Sequence, residues 1–329
     1  MKNLSAVMAV LLLAAYACPA LAADGGKPAG KLAALIASAG DTEPIVREAA
    51  ARGLGETKDK DAIPALSKLL EKDTDEAVRL AALGALLMIG DPSALNAYKI
   101  ALKDQSEQVR QSAAEALSGL WDKEAQKALV DALKNDISPK VRMSAAEALG
   151  SPGIMGRLEA HHWNAEDSDD PETVLITALS EDQSYEVRTA AATVLGGFKS
   201  GKAVGPLIRA LKDDKSATVR AAAAESLGSY DKPEITDALV DSLTFEKDDS
   251  VLLNTLKSLK FASDSRVVRP AMTALRSASA RVRWQAIDVL EMLKPAEAIT
   301  EIKAIMDDES ESEGVRSKAK EALDVIGTE

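Results

Sequence analysis

The chain has two histidines, and they are adjacent. His161 and His162 lie in RLEAHHWNAEDSDDPE, residues 157–172, where Trp163 and a run of acids follow them. Imidazoles and carboxylates are ligands for transition metals, so one reading is a metal or catalytic site of His161 and His162 with Asp167, Asp169 or Asp170. Neighbours on a regular helix diverge by about 100°, so both rings can reach one ion only from a loop. Two histidines and loop acids still make an incomplete ligand set. Two other readings stand beside this one. The stretch can be a recognition loop presenting His161, His162 and Trp163, or an acidic linker. From Leu158 to Val187 there are nine acids and no lysine or arginine.

Other motifs that carry chemistry fail on their own terms. Gly196 to Lys202 and Gly25 to Lys31 each read G-x-x-x-x-G-K. Ala203 and Leu32 then stand where a serine or threonine would hold magnesium, and no strand precedes either stretch. There is no H-E-x-x-H and no G-x-S-x-G. The expectation is a protein that is not an enzyme and needs no cofactor.

The element that must position any site is a repeat. Val-Arg recurs at Val46, Val78, Val109, Val141, Val187, Val219, Val282 and Val315, and Val251-Leu252 fills the one gap. The spacings between successive valines are 32, 31, 32, 46, 32, 32, 31 and 33. A fixed period in this range means stacked supersecondary units. Counting from each valine, offset +4 is alanine in eight units and Thr255 in the seventh, and offset +8 is leucine in all nine. Offsets 0, 4 and 8 form one face of an α-helix.

A second apolar helix precedes each valine, as in AIPALSKLL at 62–70. Between the helices lies an aspartate five residues before the valine: Asp41, Asp73, Asp104, Asp136, Asp182 and Asp214. These aspartates are expected to cap the second helix at its N-terminus. Glycines such as Gly55, Gly90, Gly150 and Gly228 are expected to open the loop that follows.

The pattern D-x-x-x-x-V-R-x-x-A-A-x-x-L-G, clearest in DQSYEVRTAAATVLG at 182–196, resembles HEAT-like repeats of the phycobilisome-lyase type. The resemblance covers nearly all of the chain after its first residues. It implies an all-α fold, an α-solenoid of about nine stacked helix pairs, with the second helix of each pair on the concave surface. It also implies a structural ladder between neighbouring units, drawn from Asp41, Arg47, Asp73, Arg79, Asp104, Arg110, Asp136, Arg142, Asp182, Arg188, Asp214 and Arg220. Lyase activity does not carry over, since nothing beyond the repeat matches. Hydroxylases built on HEAT-like repeats hold iron through His-Glu pairs, and this chain has no His-Glu dipeptide.

Offset +2 points away from the buried face of the second helix, so Leu253 and Trp284, in adjacent units, are expected to be exposed side by side. The surrounding window 255–294 is net +5 in a chain of net charge −12. A basic, locally apolar groove around Leu253, Lys257, Arg276, Arg281 and Trp284 would suit an acidic protein or peptide. The acidic total argues against nucleic acid as a partner. A purely mechanical spacer or assembly scaffold in a cell envelope is the remaining reading.

The first residues read as an export signal. Lys2 is followed by a short apolar run and by Ala20-Leu21-Ala22, which places the mature start at Ala23. Cys18, the only cysteine, offers a rival site for a lipid anchor, although Tyr16 and Pro19 suit that chemistry poorly. The expected organisation is a signal peptide at 1–22, a flexible segment at 23–29, four repeats at 30–150, an acidic insertion at 151–170 and five repeats at 171–329. The expected compartment is the bacterial periplasm or the extracellular space, with no transmembrane segment.

Overall fold

Alanine and leucine at a helical spacing, with few β-branched residues or aromatics to favour strands, leave helix pairing as the way to bury apolar surface. The computed structural model describes residues 28–120, 122–151, 170–230, 232–260, 262 and 264–327. Among these residues there are eighteen α-helices and no strand. The fold is an α-solenoid of paired helices. The signal segment, Cys18 and the trio His161, His162 and Trp163 lie outside the described residues.

The helices form two compact units, one ending at Leu117 and the other beginning at Ser118. The first unit holds α1 (Pro28–Ser38), α2 (Pro44–Thr57), α3 (Ile63–Lys72), α4 (Glu76–Ile89), α5 (Leu95–Ala101) and α6 (Glu107–Leu117). The second holds α7 (Lys123–Asn135), α8 (Pro139–Leu149), α9 (Pro171–Glu181), α10 (Tyr185–Phe198), α11 (Gly201–Asp213) and α12 (Ala217–Leu227). It continues with α13 (Pro233–Phe245), α14 (Asp249–Leu259), α15 (Val268–Ala274), α16 (Ala280–Leu293), α17 (Ile299–Asp307) and α18 (Glu313–Ile326). Odd-numbered helices are the first of each pair and even-numbered helices carry the valine. Within each unit, every even helix packs against its own odd helix and against the next even helix.

The repeat leucines explain why the pairs hold. Leu54, Leu86, Leu117, Leu149, Leu195, Leu227, Leu259 and Leu290 are fully buried, while Leu323, on the last described helix, is half-buried. The alanines at +4 are equally buried and let the paired helices approach. Thr255 takes that place in α14 with its hydroxyl buried and without a hydrogen-bond partner. A polar group left in this way costs about 1–3 kcal/mol.

The aspartates of the turn do not cap the second helix. The N-cap residues lie two positions further on, at Asp75, Ser138, Ser184, Ser216 and Asp248. Asp73, Asp136, Asp182 and Asp214 instead end the first helix. Each accepts from the backbone N–H two residues later, as in Ser184 N to Asp182 Oδ1 at 2.9 Å. An N-cap side chain must reach the N–H of the second or third helical residue, and the aspartate is too far upstream for that.

Their other partner is the arginine of the preceding unit. Arg47 meets Asp73, Arg79 meets Asp104, Arg142 meets Asp182 and Arg188 meets Asp214 through paired contacts of 2.6–2.9 Å. Arg220 to Glu246 and Arg283 to Glu311 repeat the geometry with a glutamate. Each arginine also donates to carbonyls of its own turn, as Arg47 does to Asp41 O at 3.0 Å and Arg110 to Asp104 O at 2.9 Å. Arg47, Arg79, Arg142, Arg188, Arg220 and Arg283 therefore each tie their own turn to the next, and the ladder includes two glutamates absent from the aspartate pattern. The guanidinium of Arg47 holds the Asp73 carboxyl below the usual carboxylate range. The Arg142–Asp182 rung joins α8 to the turn after α9, so the 46-residue step leaves the ladder in register.

Gly90, Gly150 and Gly228 end their helices and open the loop as expected, whereas Gly55 does not. Of the four, only Gly90 takes a left-handed conformation, with φ of 69°. Lys58, Lys199 and Lys294 fill that role at other helix ends. Gly55 lies within α2, and Gly150 and Gly228 are right-handed. Their function is closeness to the next helix. A methyl at Gly55 would lie 2.8 Å from Ala85 Cα.

Candidate functional site

Three helices of the second unit, α14, α16 and α18, enclose a groove of about 380 Å³. It is lined by Leu253 and Lys257 from α14, by Ala280, Arg281, Trp284 and Gln285 from α16, and by Ser312, Gly314 and Val315 at the start of α18. Four of the five partner-binding residues expected from the sequence, Leu253, Lys257, Arg281 and Trp284, share this lining. Arg276 does not. It lies in the turn between α15 and α16, because α15 ends at Ala274 and Arg276 falls before α16 begins at Ala280.

Trp284 is 39% exposed and Leu253 is half-buried. Leu80, Met143 and Thr189 at the same offset are also half-buried, and Ala221 is buried. Offset +2 is thus less outward than a single helix pair suggests, since the next even helix covers one side of it. Trp284 keeps more exposure because its ring is larger than the cover available. On one side of that ring lies the ammonium of Lys318, 5.2 Å from the ring centre, a cation–π contact.

Beneath the tryptophan runs a buried polar chain. Asp288 is 5% exposed. Its Oδ2 accepts from Lys260 of α14 at 2.8 Å and from Gln285 at 3.0 Å, and its Oδ1 faces Lys318 of α18 at 3.0 Å. Lys318 also pairs with Glu291 at 2.5 Å. Burial pushes the Asp288 carboxyl up, but the hydrogen bonds from Lys260 and Lys318 outweigh it and hold the group below the usual carboxylate range. Burial likewise lowers Lys318, and its contacts with Glu291 and Asp288 leave it raised.

Part of the basic window is consumed inside the fold. Lys260 serves Asp288, Arg283 serves Glu311, and Arg266 serves Asp264 and Asp237. Residues 307–313, DDESESE, also fold against the same end of the array, since Ser312 lines the groove and Glu311 takes Arg283. Lys257 and Arg281 remain exposed, and neither has an ion-pair partner among the described residues. No carboxylate is among the lining residues.

Lys318, Asp288 and Gln285 escaped attention in the sequence although a signal existed. Offset +3 is alanine or serine in the first six units and then becomes Asn254, Gln285 and Lys318. Offset +9 is glycine at Gly150, Gly196 and Gly228 and then becomes Lys260 and Glu291. Both changes begin at the seventh unit.

Among the described residues no group of three or more His, Cys, Asp or Glu is arranged to hold a metal ion, and no helix is long and apolar enough to cross a membrane.

Comparison with known proteins gives one consistent fold. The family of HEAT repeats matches residues 32–118, 96–160 and 172–260. The Escherichia coli protein YibA superposes with a TM-score of 0.59 at 20% identity, covering 84% of this chain and 96% of that one. Yeast importin-beta, Kap95p, superposes with a TM-score of 0.61 at 15% identity over 91% of this chain and 46% of its own. At such identities the likeness concerns the fold. A deoxyhypusine hydroxylase of Arabidopsis thaliana is 33% identical over 130 residues, which is 39% of this chain and 37% of that relative.

Proposed function

The chain belongs to the HEAT-repeat family, and we propose that it is an exported, non-enzymatic scaffold that binds a protein or peptide partner in the groove between α14, α16 and α18. Stacked helix arrays offer extended surfaces, and binding through them is the common use of such folds. The observation that carries the reading is the pairing of a large, half-exposed apolar centre, Trp284 and Leu253, with two unpaired cations, Lys257 and Arg281. Aromatic anchors in partly desolvated clefts supply much of the energy of protein recognition. The cations favour an acidic segment over a basic one, and the net charge of −12 disfavours nucleic acid.

The test is affinity capture from the cell-envelope fraction with the full chain and with Trp284→Ala. A partner recovered by the first and lost from the second supports the groove. A partner recovered equally by both contradicts it. Export rests on the first 22 residues, and the intact mass of the protein recovered from cells tests it. A mature chain beginning at Ala23 supports ordinary cleavage, a lipidated Cys18 supports anchoring, and an uncleaved chain contradicts export.

A second reading, a metal-dependent enzyme, rests on the match to the Arabidopsis hydroxylase and on His161 and His162. Metal that co-purifies and is lost from a His161→Ala, His162→Ala double variant would replace the scaffold reading.

A further inference from the structure

We infer that the groove selects a short extended segment in which one large apolar side chain stands between two acids about three residues apart. This rests on the partner-binding reading and deepens it. The even helices run side by side in the same direction, so a residue's offset from its repeat valine gives its height along them. The contact of Lys318 at +3 with Trp284 at +2 and that of Lys260 at +9 with Asp288 at +6 follow this register, while the long side chain of Lys318 also reaches Glu291 at +9.

On that scale the groove has three levels. Leu253 and Trp284, both at +2, form the apolar middle. Arg281, at −1, stands about one turn toward the helix N-termini, level with Gly314 of α18, which brings no side chain to the wall. Lys257, at +6, stands about one turn beyond the middle. The order along the groove is therefore cation, apolar, cation. The neighbouring cations Lys260, Arg283 and Lys318 are engaged with acids of the fold and add nothing to recognition. The exposed Glu313, next to Gly314, lies outside the lining.

Offsets −1 and +6 differ by about 10 Å in height along the helices at 1.5 Å per residue. An extended chain spans that distance in about three residues at about 3.3 Å each. A helical ligand would need about seven residues to join the same two levels, so the spacing of the acids distinguishes the two forms. An occupant with acids at both ends and one anchor between them meets each level once.

The experiment uses the full chain and fluorescein-labelled ten-residue peptides, each with one tryptophan between two aspartates set one to seven positions apart. Anisotropy titration should show the tightest binding at a separation of three or four, weakening at least about fivefold at one and at seven. Arg281→Glu and Lys257→Glu, both surface changes, should each weaken the best peptide about fivefold. Each should be restored by changing a different one of the two aspartates to lysine. Affinity that depends on Trp284 but is flat across the spacings, or restoration of both variants by the same peptide, overturns this inference and leaves the partner-binding reading standing. Peptides that bind equally to Trp284→Ala, or not at all, remove both.

Discussion

The even helices are joined by two different seams within one unit. Through α8, α10, α12 and α14 the seam is made of small residues. A methyl at Gly196 would lie 3.0 Å from Ser226 Cα, and one at Gly228 would lie 3.1 Å from Ser258 Cα. Ser226 and Ser258 turn their hydroxyls back to Ala192 O and Ala224 O, both at 2.9 Å. Through α14, α16 and α18, Lys260 takes the +9 place of those glycines, and Gln285 and Lys318 at +3 and Asp288 at +6 bring long polar side chains. The first seam leaves no room between helices. The second is filled by long side chains joined through one carboxylate, and the groove with Trp284 lies over it. A single fold can thus be closed along part of its length and grooved elsewhere by changing a few offsets.

The largest expected effect breaks the close seam. Gly196→Leu forces a side chain against Ser226 backbone and should cost about 3 kcal/mol in a denaturant melt. The same change at Gly30, where an added methyl would meet nothing within 4 Å, should cost well under that amount. Equal losses at both positions would mean that the glycine contact is unimportant.

Next comes the ladder, which the two seams share. Arg188→Ala leaves the buried Asp214 without its bidentate partner and should cost about 2–3 kcal/mol. Asp288→Ala should cost somewhat less, about 2 kcal/mol, because the side chain of Lys260 is 30% exposed and can turn toward water. It should also weaken ligands of the groove by releasing Lys318 from beneath Trp284. A melt curve together with a binding isotherm checks both consequences.

Acid sharpens the contrast. Asp288, Asp182, Asp214 and Glu246 all have carboxyls held below their ordinary range in the fold. A depressed folded pKa means that this stability is complete above the unfolded carboxylate range, about pH 4, and is lost as the pH falls through the lowered values. The urea midpoint should therefore hold from about pH 7 to about pH 5 and decline below about pH 4. Asp288→Asn, which does not titrate, should decline less steeply. A wild type that gains stability on acidification would contradict the roles given to these groups.

The smallest effect concerns α14, where the two seams meet. Thr255→Val keeps the shape and removes a buried hydroxyl without a partner, so it should raise stability by about 1 kcal/mol.

Much of the fold was legible because the repeat encodes it locally. Valine, alanine and leucine at 0, +4 and +8 mark one helix face, and every even helix follows. What escaped reading depended on neighbours. The turn aspartates resemble caps within one unit; the ladder that the resemblance implies gives them their role as rungs to the arginine of the preceding unit, but not the glutamates that take the same part at Glu246 and Glu311. The window 255–294 reads as uniformly basic, but two of its charges, Arg266 and Arg283, are met by Asp237 and Glu311, which lie outside it. Lys257, Arg281 and Trp284 were visible as candidates because offset +2 could be followed from unit to unit. Lys318 was not, because it belongs to the helix after theirs.

The central question is whether the open seam, and not the closed one, holds the partner. Hydrogen–deuterium exchange of the full chain with a groove-selected acidic peptide addresses this directly. The predicted result is slowed exchange in α14, α16 and the first turn of α18, with α8, α10 and α12 unchanged, and no slowing in Trp284→Ala. Slowing confined to α8, α10 and α12, or equal slowing in Trp284→Ala, would contradict it.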